Sequence, residues 1–244
     1  MHLLYGVAVV MLLFPWLSHK TRIRIEKRWH NKAIGIFNVR VRLKGEISDL
    51  EAPNVMLVAN HVSWLDIYVL NAIRPVRFVS KMEVRSWPLV GWLAKRTGTL
   101  FIDRTKRHDT ARVNQEVSTV LTNGGCVAIF PEGTTTDGRE VRKFHSSLLE
   151  PAVQSQSRVW PAAIRYIHED GSLNTAPAYI DDITIGQSLA MILSQKVIHV
   201  EVEVLAPIAV LGKTRRDLAR EAHLAIAMAL QVPEDRFEDA EYSV

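Results

Sequence analysis

The chain has 244 residues, 48% of them hydrophobic and 23% charged, and a formal net charge of +4 from 30 Lys plus Arg against 26 Asp plus Glu. That balance excludes an intrinsically disordered chain and supplies enough core for one α/β domain. Cys126 is the single cysteine, which excludes an intrachain disulfide and a thiolate metal cluster within one chain.

The first element is apolar: Leu3 to Leu17 reads LLYGVAVVMLLFPWL. As a helix it reaches about 22 Å, short of the roughly 30 Å of a hydrocarbon core, and Pro15 strains its last turn. No charged stretch precedes it and no small-x-small site follows, so a cleaved signal is a poor fit. Two readings stay open: it dips into one leaflet, or it spans a thin bilayer with help from its flanks. Lys20, Arg22, Arg24, Lys27, Arg28 and Lys32 follow against a single Glu26. Such a cluster suits nucleic acid or anionic head groups, and the apolar neighbour favours lipid. Residues 21–37 have the look of a basic amphipathic helix. The expectation is a membrane-associated helical region over 1–37, no nucleic-acid partner, and placement on the cytoplasmic face of the inner membrane.

From residue 38 to 244 strand and helix patterns alternate. Val39, Val41 and Leu43 interleave with Arg40, Arg42 and Lys44, a half-exposed strand. Val55–Ala59 is a continuous apolar run suited to a buried strand, and Trp64–Ile73 suits a helix. Further strands are expected at Val76–Ser80, Leu100–Ile102 and Val127–Phe130. Helices are expected at Trp87–Lys95, Asp109–Leu121 and Ser146–Val153. Cys126 opens the apolar run CVAIF, so a buried structural thiol is the expectation. Val159–Tyr166 mixes strand formers with Pro161, which suits an edge or a strand entrance better than a strand centre. Ile192–Ile198 finishes a helix and leads into the alternating Val200, Val202 and Val204. Thr214–Leu230 closes as a helix with a partly apolar face. The pattern predicts one α/β domain with a mixed central sheet and flanking helices.

Three loops after strand candidates carry chemistry. In Asn60-His61-Val62-Ser63-Trp64-Leu65-Asp66, His61 and Asp66 would point about 140° apart on one continuous helix. They pair only if His61 lies in the loop and Asp66 in the next helix, with Ser63 as a fitting N-cap. Asp66 would then hold the imidazole tautomer whose other nitrogen takes a proton from an alcohol; an ordinary capping interaction is the alternative. In Gly98-Thr99-Leu100-Phe101-Ile102-Asp103-Arg104, the Arg104 guanidinium suits bidentate phosphate binding, or merely a surface pair with Asp103. In Phe130-Pro131-Glu132-Gly133-Thr134, Glu132 is placed to orient an acceptor hydroxyl or a cationic neighbour. Gly133 lets backbone approach a ligand closely.

The H-x4-D stretch, GTLFIDR, FPEGT and the weaker VWPAAI at Val159–Ile164 together resemble the glycerolipid acyltransferases, the 1-acylglycerol-3-phosphate O-acyltransferase family. The resemblance runs over about half the chain. It implies an α/β acyltransferase domain over 38–244 with N-terminal helices that approach the membrane. It implies His61 as general base, Asp66 as its partner, Arg104 as the acceptor-phosphate contact, and Glu132 and Gly133 in the acceptor-site loop. Pro161 matches a block linked to the acyl donor or to site architecture. Acyl-CoA or acyl-carrier protein is the implied donor, with no metal and no cofactor. The implied reaction acylates 1-acylglycerol-3-phosphate to phosphatidate. Two departures bear on the acceptor: Thr135 stands where many such members carry arginine, and Arg142-Lys143-Phe144-His145 replaces their F-K-x-G stretch. Arg142 or Lys143 is the candidate substitute for the missing basic contact. The departures resemble members that acylate other lyso-lipids, including lyso-ornithine lipid.

Overall fold

A computed structural model describes residues 1–45, 52–103 and 106–232, the Arg107 side chain excepted. Strand alternation decides which faces meet. In β2 (Val55–Ala59), Val55, Leu57 and Ala59 enter one apolar cluster while Met56 and Val58 enter another on the opposite face. A strand buried on both faces must read as continuous hydrophobe, as this one does.

β2 is central to a seven-stranded sheet with β1 (Val39–Gly45), β3 (Arg77–Lys81), β4 (Leu100–Ile102), β5 (Cys126–Ile129), β6 (Arg158–Ile167) and β7 (Ile198–Val204). The order is β1-β7-β6-β2-β5-β3-β4. Neighbours pair in parallel except β6 with β7, which are antiparallel, so the sheet is mixed. One face carries α2 (His19–Ile36), α3 (Leu65–Ile73) and α8 (Ile185–Ser194), which bury Ile34, Val69 and Ile192 among others. The short α4 (Met82–Arg85) and α5 (Val90–Arg96) lie between β3 and β4 in the chain, and the other face carries α6 (Arg107–Thr122), α7 (Glu150–Ser155) and α9 (Arg215–Leu230), burying Val117, Ala152 and Ile226. The result is a three-layer α/β/α arrangement.

Pro161 corrects an expectation. It lies inside β6, an interior strand, opposite Val58 of β2. The reason is local. Ala162 pairs with Val204, the last residue of β7, and the Leu205 N–H donates to the Pro161 carbonyl at 2.9 Å. The side of Pro161 that lacks an N–H therefore faces the point where β7 has ended, and no ladder bond is lost.

At the N-terminus α1 (His2–Leu12) is followed by a short 3-10 turn, Phe14–Trp16, that takes up Pro15. α1 leans on α2 through a stack of the His2 and Trp29 rings, with centroids 4.7 Å apart. Gly6 permits that approach, because a Cβ there would lie 2.6 Å from the Trp29 ring nitrogen. α2 is tied to the domain by Asn31, whose amide donates to the Ala72 carbonyl of α3 at 3.0 Å. Among the described residues no helix is long and apolar enough to cross a membrane. Cys126 is half-buried, and burial pushes its thiol up to about 11, consistent with a structural role.

Candidate active site

The site forms at the carboxyl ends of β2 and β5, adjacent parallel strands, the usual place for reactive groups in open α/β sheets. β2 pairs with β6 as far as Ala59 and Ala162. Asn60 then continues the ladder with its side chain. Its oxygen accepts from the Ile164 N–H at 2.7 Å and its amide donates to the Ile164 carbonyl at 3.0 Å. This fully buried amide fixes the start of the His61 loop.

His61 leaves the strand in that loop, and Asp66 sits in the first turn of α3. The Nδ1 of His61 lies 2.9 Å from Asp66 Oδ2. The same oxygen accepts the Val62 and Ser63 N–H groups at 2.8 and 2.9 Å. Oδ1 accepts the Tyr166 hydroxyl of β6 at 2.6 Å. A fully buried carboxylate is thus satisfied on both oxygens. An ionised Asp66 only accepts, so Nδ1 carries the proton and Nε2 is the basic nitrogen left for the cavity. The helix begins at Leu65, and Ser63 just ahead of it caps its first N–H. Its hydroxyl accepts from Leu65 N–H at 3.3 Å, while the Asp66 carboxylate holds the loop amides. The His61 ring stacks on Phe130 at 3.9 Å between centroids and 8° between planes, which fixes its tilt.

Glu132 stands behind the histidine. Its Oε1 accepts the His61 N–H at 2.7 Å and its Oε2 accepts the Arg142 N–H at 2.9 Å. Only 4% of it is exposed, and burial pushes its carboxyl up to about 8 against the pull of those two N–H bonds. Sequence reasoning offers Glu132 an acceptor hydroxyl or a cationic neighbour; in the structure both of its oxygens accept main-chain N–H groups and clasp the His61 loop to the Arg142 segment.

His61, Phe130 and Gly133 line one large cavity of about 2240 Å³ that extends to α1 and α2. Its far walls include Val9, Val10 and Phe14 of the α1 region and Trp29 of α2, so apolar surface leads away from the histidine. Gly133 turns the backbone there at φ 75°, a conformation that favours glycine. Of the two candidate basic residues after the loop, Arg142 lines the cavity and Lys143 does not. Arg104 lies outside the described residues. Thr135 lines the cavity, but its hydroxyl is committed to the Tyr179 carbonyl.

An imidazole held by a buried carboxylate at the head of an apolar cavity is the equipment for deprotonating an alcohol beside a long acyl chain. Similarity to known proteins agrees. The family profile described as "Acyltransferase" matches residues 38–165. A lyso-ornithine lipid O-acyltransferase of Pseudomonas aeruginosa is 38% identical over 236 residues, covering 92% of this chain and 89% of that one. The chain belongs to the acyltransferase family. A 1-acyl-sn-glycerol-3-phosphate acyltransferase of Neisseria gonorrhoeae is 36% identical over 154 residues, 63% of this acyltransferase and 60% of that protein. In fold, the crystal structure of the 1-acyl-sn-glycerophosphate acyltransferase of Thermotoga maritima superposes with a TM-score of 0.69 at 19% identity, covering 94% of this chain and 92% of that one. The acyltransferase reading of the sequence and its α/β fold therefore hold.

Two contributors escape sequence reasoning. Asn60 reads only as a neighbour of His61, although a polar residue ending an apolar strand needs a buried partner. Tyr166 gives no signal, because it is a hundred residues from Asp66 in the chain and only the β2–β6 pairing brings them together.

Proposed function

We infer that this acyltransferase moves a fatty acyl group from an acyl-CoA or acyl-carrier-protein thioester to the free hydroxyl of a lyso-lipid, with lyso-ornithine lipid as acceptor. His61 Nε2 takes the hydroxyl proton as that oxygen attacks the thioester carbonyl. The C–O ester bond forms, the C–S bond breaks, and the proton leaves His61 for the departing thiolate. Asp66 holds the imidazole and supports its transient positive charge. The observation that carries this reading is the His61–Asp66 pair at 2.9 Å at the head of the apolar cavity.

Charge supports this choice of acceptor. Arg139 and Arg142 line the cavity, and each is ion-paired with a carboxylate on the same wall, Asp137 and Glu140. A wall of matched charges suits a zwitterionic head group better than a phosphate dianion. The near full-length similarity to a lyso-ornithine lipid enzyme supports the same choice. A second reading, phosphatidate formation, is favoured by Arg104 in the GTLFIDR stretch and by the Neisseria relative. The charge-free α1 and the exposed Lys20, Arg24 and Lys27 of α2 support residence on an anionic cytoplasmic leaflet.

The test is acyl transfer from labelled donor to lyso-ornithine lipid and to 1-acylglycerol-3-phosphate in parallel. Preference for the first supports the proposal, and preference for the second establishes the alternative. His61→Ala should lower kcat by roughly 10³; near-normal turnover would remove His61 as the base.

A further inference from the structure

Helix α8 is unusual in composition and placement. Its sequence, IGQSLAMILS, contains no charged residue, a property it shares only with α1 among the described α-helices. Its start is capped locally. Thr184 and Gln187 form a reciprocal capping box at its start. Yet only Ser188 and Ile192 are buried, and these attach it to the domain. Ser188 accepts the Trp64 indole N–H at 2.9 Å, and Ile192 enters the core.

The rest of its apolar side is bare. Leu193 is 55% exposed and Leu189 37%, and Ile185 is exposed with them. At 100° per residue these three fall within about 80° of one another, on a single stripe. The stripe also lines the cavity. Residues that are both exposed and cavity-lining define its rim, and across that rim stand Tyr5 of α1 and Ile36 of α2, also exposed. On the α2 side of the rim the exposed charges are cations, Arg28 and Lys32, while α8 itself is flanked by both signs, Asp181 and Asp182 before it and Lys196 after it.

We propose that α8 is a second lipid-contacting helix, lying with the α1–α2 hairpin on an anionic bilayer so that the cavity mouth opens directly into the leaflet. The proposal deepens the lyso-lipid reading and rests on it for its purpose: an acceptor with one long chain would enter the cavity sideways without crossing water. A bare apolar stripe on α8, facing the exposed cations of α2 across one rim, is a surface that suits an anionic bilayer.

The experiment uses the full chain with Cys126→Ser and one added cysteine, labelled with an environment-sensitive NBD probe. Leu193→Cys and Leu12→Cys report on α8 and α1. Met228→Cys, on the opposite face of the sheet and 71% exposed, is the control. Vesicles of phosphatidylethanolamine and phosphatidylglycerol are added, with and without spin-labelled lipid. A blue shift and lipid quenching are expected at 193 and 12 and not at 228. Leu189→Glu with Leu193→Glu should weaken vesicle partitioning roughly 30-fold, taking about half the burial value of each leucine.

A silent probe at 193 on vesicle-bound protein overturns the proposal, as does failure to bind vesicles. A shift at 193 without vesicles that grows with protein concentration overturns it in favour of self-association. Transfer by the unsubstituted enzyme to detergent-dispersed lyso-lipids is measured alongside. Its absence would remove the lyso-lipid reading without altering what the probe at 193 reports.

Discussion

Tyr166→Phe isolates one hydrogen bond at the centre of the site. The phenol is fully buried, and burial, the neighbouring Asp66 charge and their hydrogen bond hold its pKa well above the ordinary tyrosine value. It is therefore a neutral donor at any working pH. Phenylalanine keeps the ring and its packing but leaves Asp66 Oδ1 with no donor at the position now served at 2.6 Å. A hydrogen bond to a charged group contributes about 1.5–3 kcal/mol, so unfolding free energy should fall by about 2 kcal/mol. Geometry should survive, since three donors still hold Oδ2. A less satisfied carboxylate pulls harder on the Nδ1 proton and stabilises the imidazolium. The acid limb of kcat/KM should then move to higher pH. Urea denaturation and pH–rate profiles on purified enzyme read both effects. A purely structural tyrosine would lower stability and leave the limb where it was, and that result would refute the reasoning.

Glu132→Gln should change how stability depends on pH. The folded carboxyl titrates near 8, above its ordinary 4.5, so across that window the native state holds a proton that the unfolded chain has lost. Its contribution is complete below about pH 4.5 and declines as pH rises toward 8, by at most ~1.4 kcal/mol per unit. The stability gap between wild type and variant should shrink across that window in urea titrations; a constant gap would contradict it. Asn60→Ala strips partners from both main-chain groups of Ile164 and should cost about 2–4 kcal/mol in the same assay. Thr184→Ala removes the α8 capping box and should cost ~1 kcal/mol. That loss should appear as faster amide exchange in α8 while the sheet core stays protected; unchanged exchange would count against the cap.

The sheet is legible because its strands announce themselves in two dialects. Val55–Ala59 is continuous hydrophobe and is buried on both faces. β7 alternates instead: Ile198, Val200, Val202 and Val204 are buried while His199, Glu201 and Glu203 between them are half-buried. α8 is the least legible element. Pattern suggests a helix finishing over Ile192–Ile198, and the structure has it at Ile185–Ser194. Most of its apolar side is not turned to the core, so core-facing periodicity gives little to follow. The better signal is the Thr184-x-x-Gln187 box, which reports a helix start whatever the helix packs against. Pro161 misleads for the converse reason. The sequence shows a missing donor but not that β7 stops beside it.

The His61–Asp66 pair shows where spacing stops being informative. For His61 and Asp66, five residues apart, it gives only a condition, that a loop must precede a helix. The structure meets that condition by making the carboxylate itself the organiser of the loop. Asp66 Oδ2 gathers the Val62 and Ser63 N–H groups, which bends the chain back until Nδ1 of His61 arrives at the same oxygen. The residue that orients the imidazole therefore also builds the turn that presents it. Asp66→Asn should consequently damage more than the tautomer. Turned one way, the new amide nitrogen faces the loop N–H groups, donor against donor; turned the other, it faces the Tyr166 hydroxyl, which must give up its own donation to accept; either way the charge that these donors gather around is gone. The variant should lose both turnover and stability, the latter by about 3 kcal/mol or more for a buried charged network. Full stability with turnover alone reduced, measured by urea denaturation beside the transfer assay, would show that the loop holds its shape without the carboxylate.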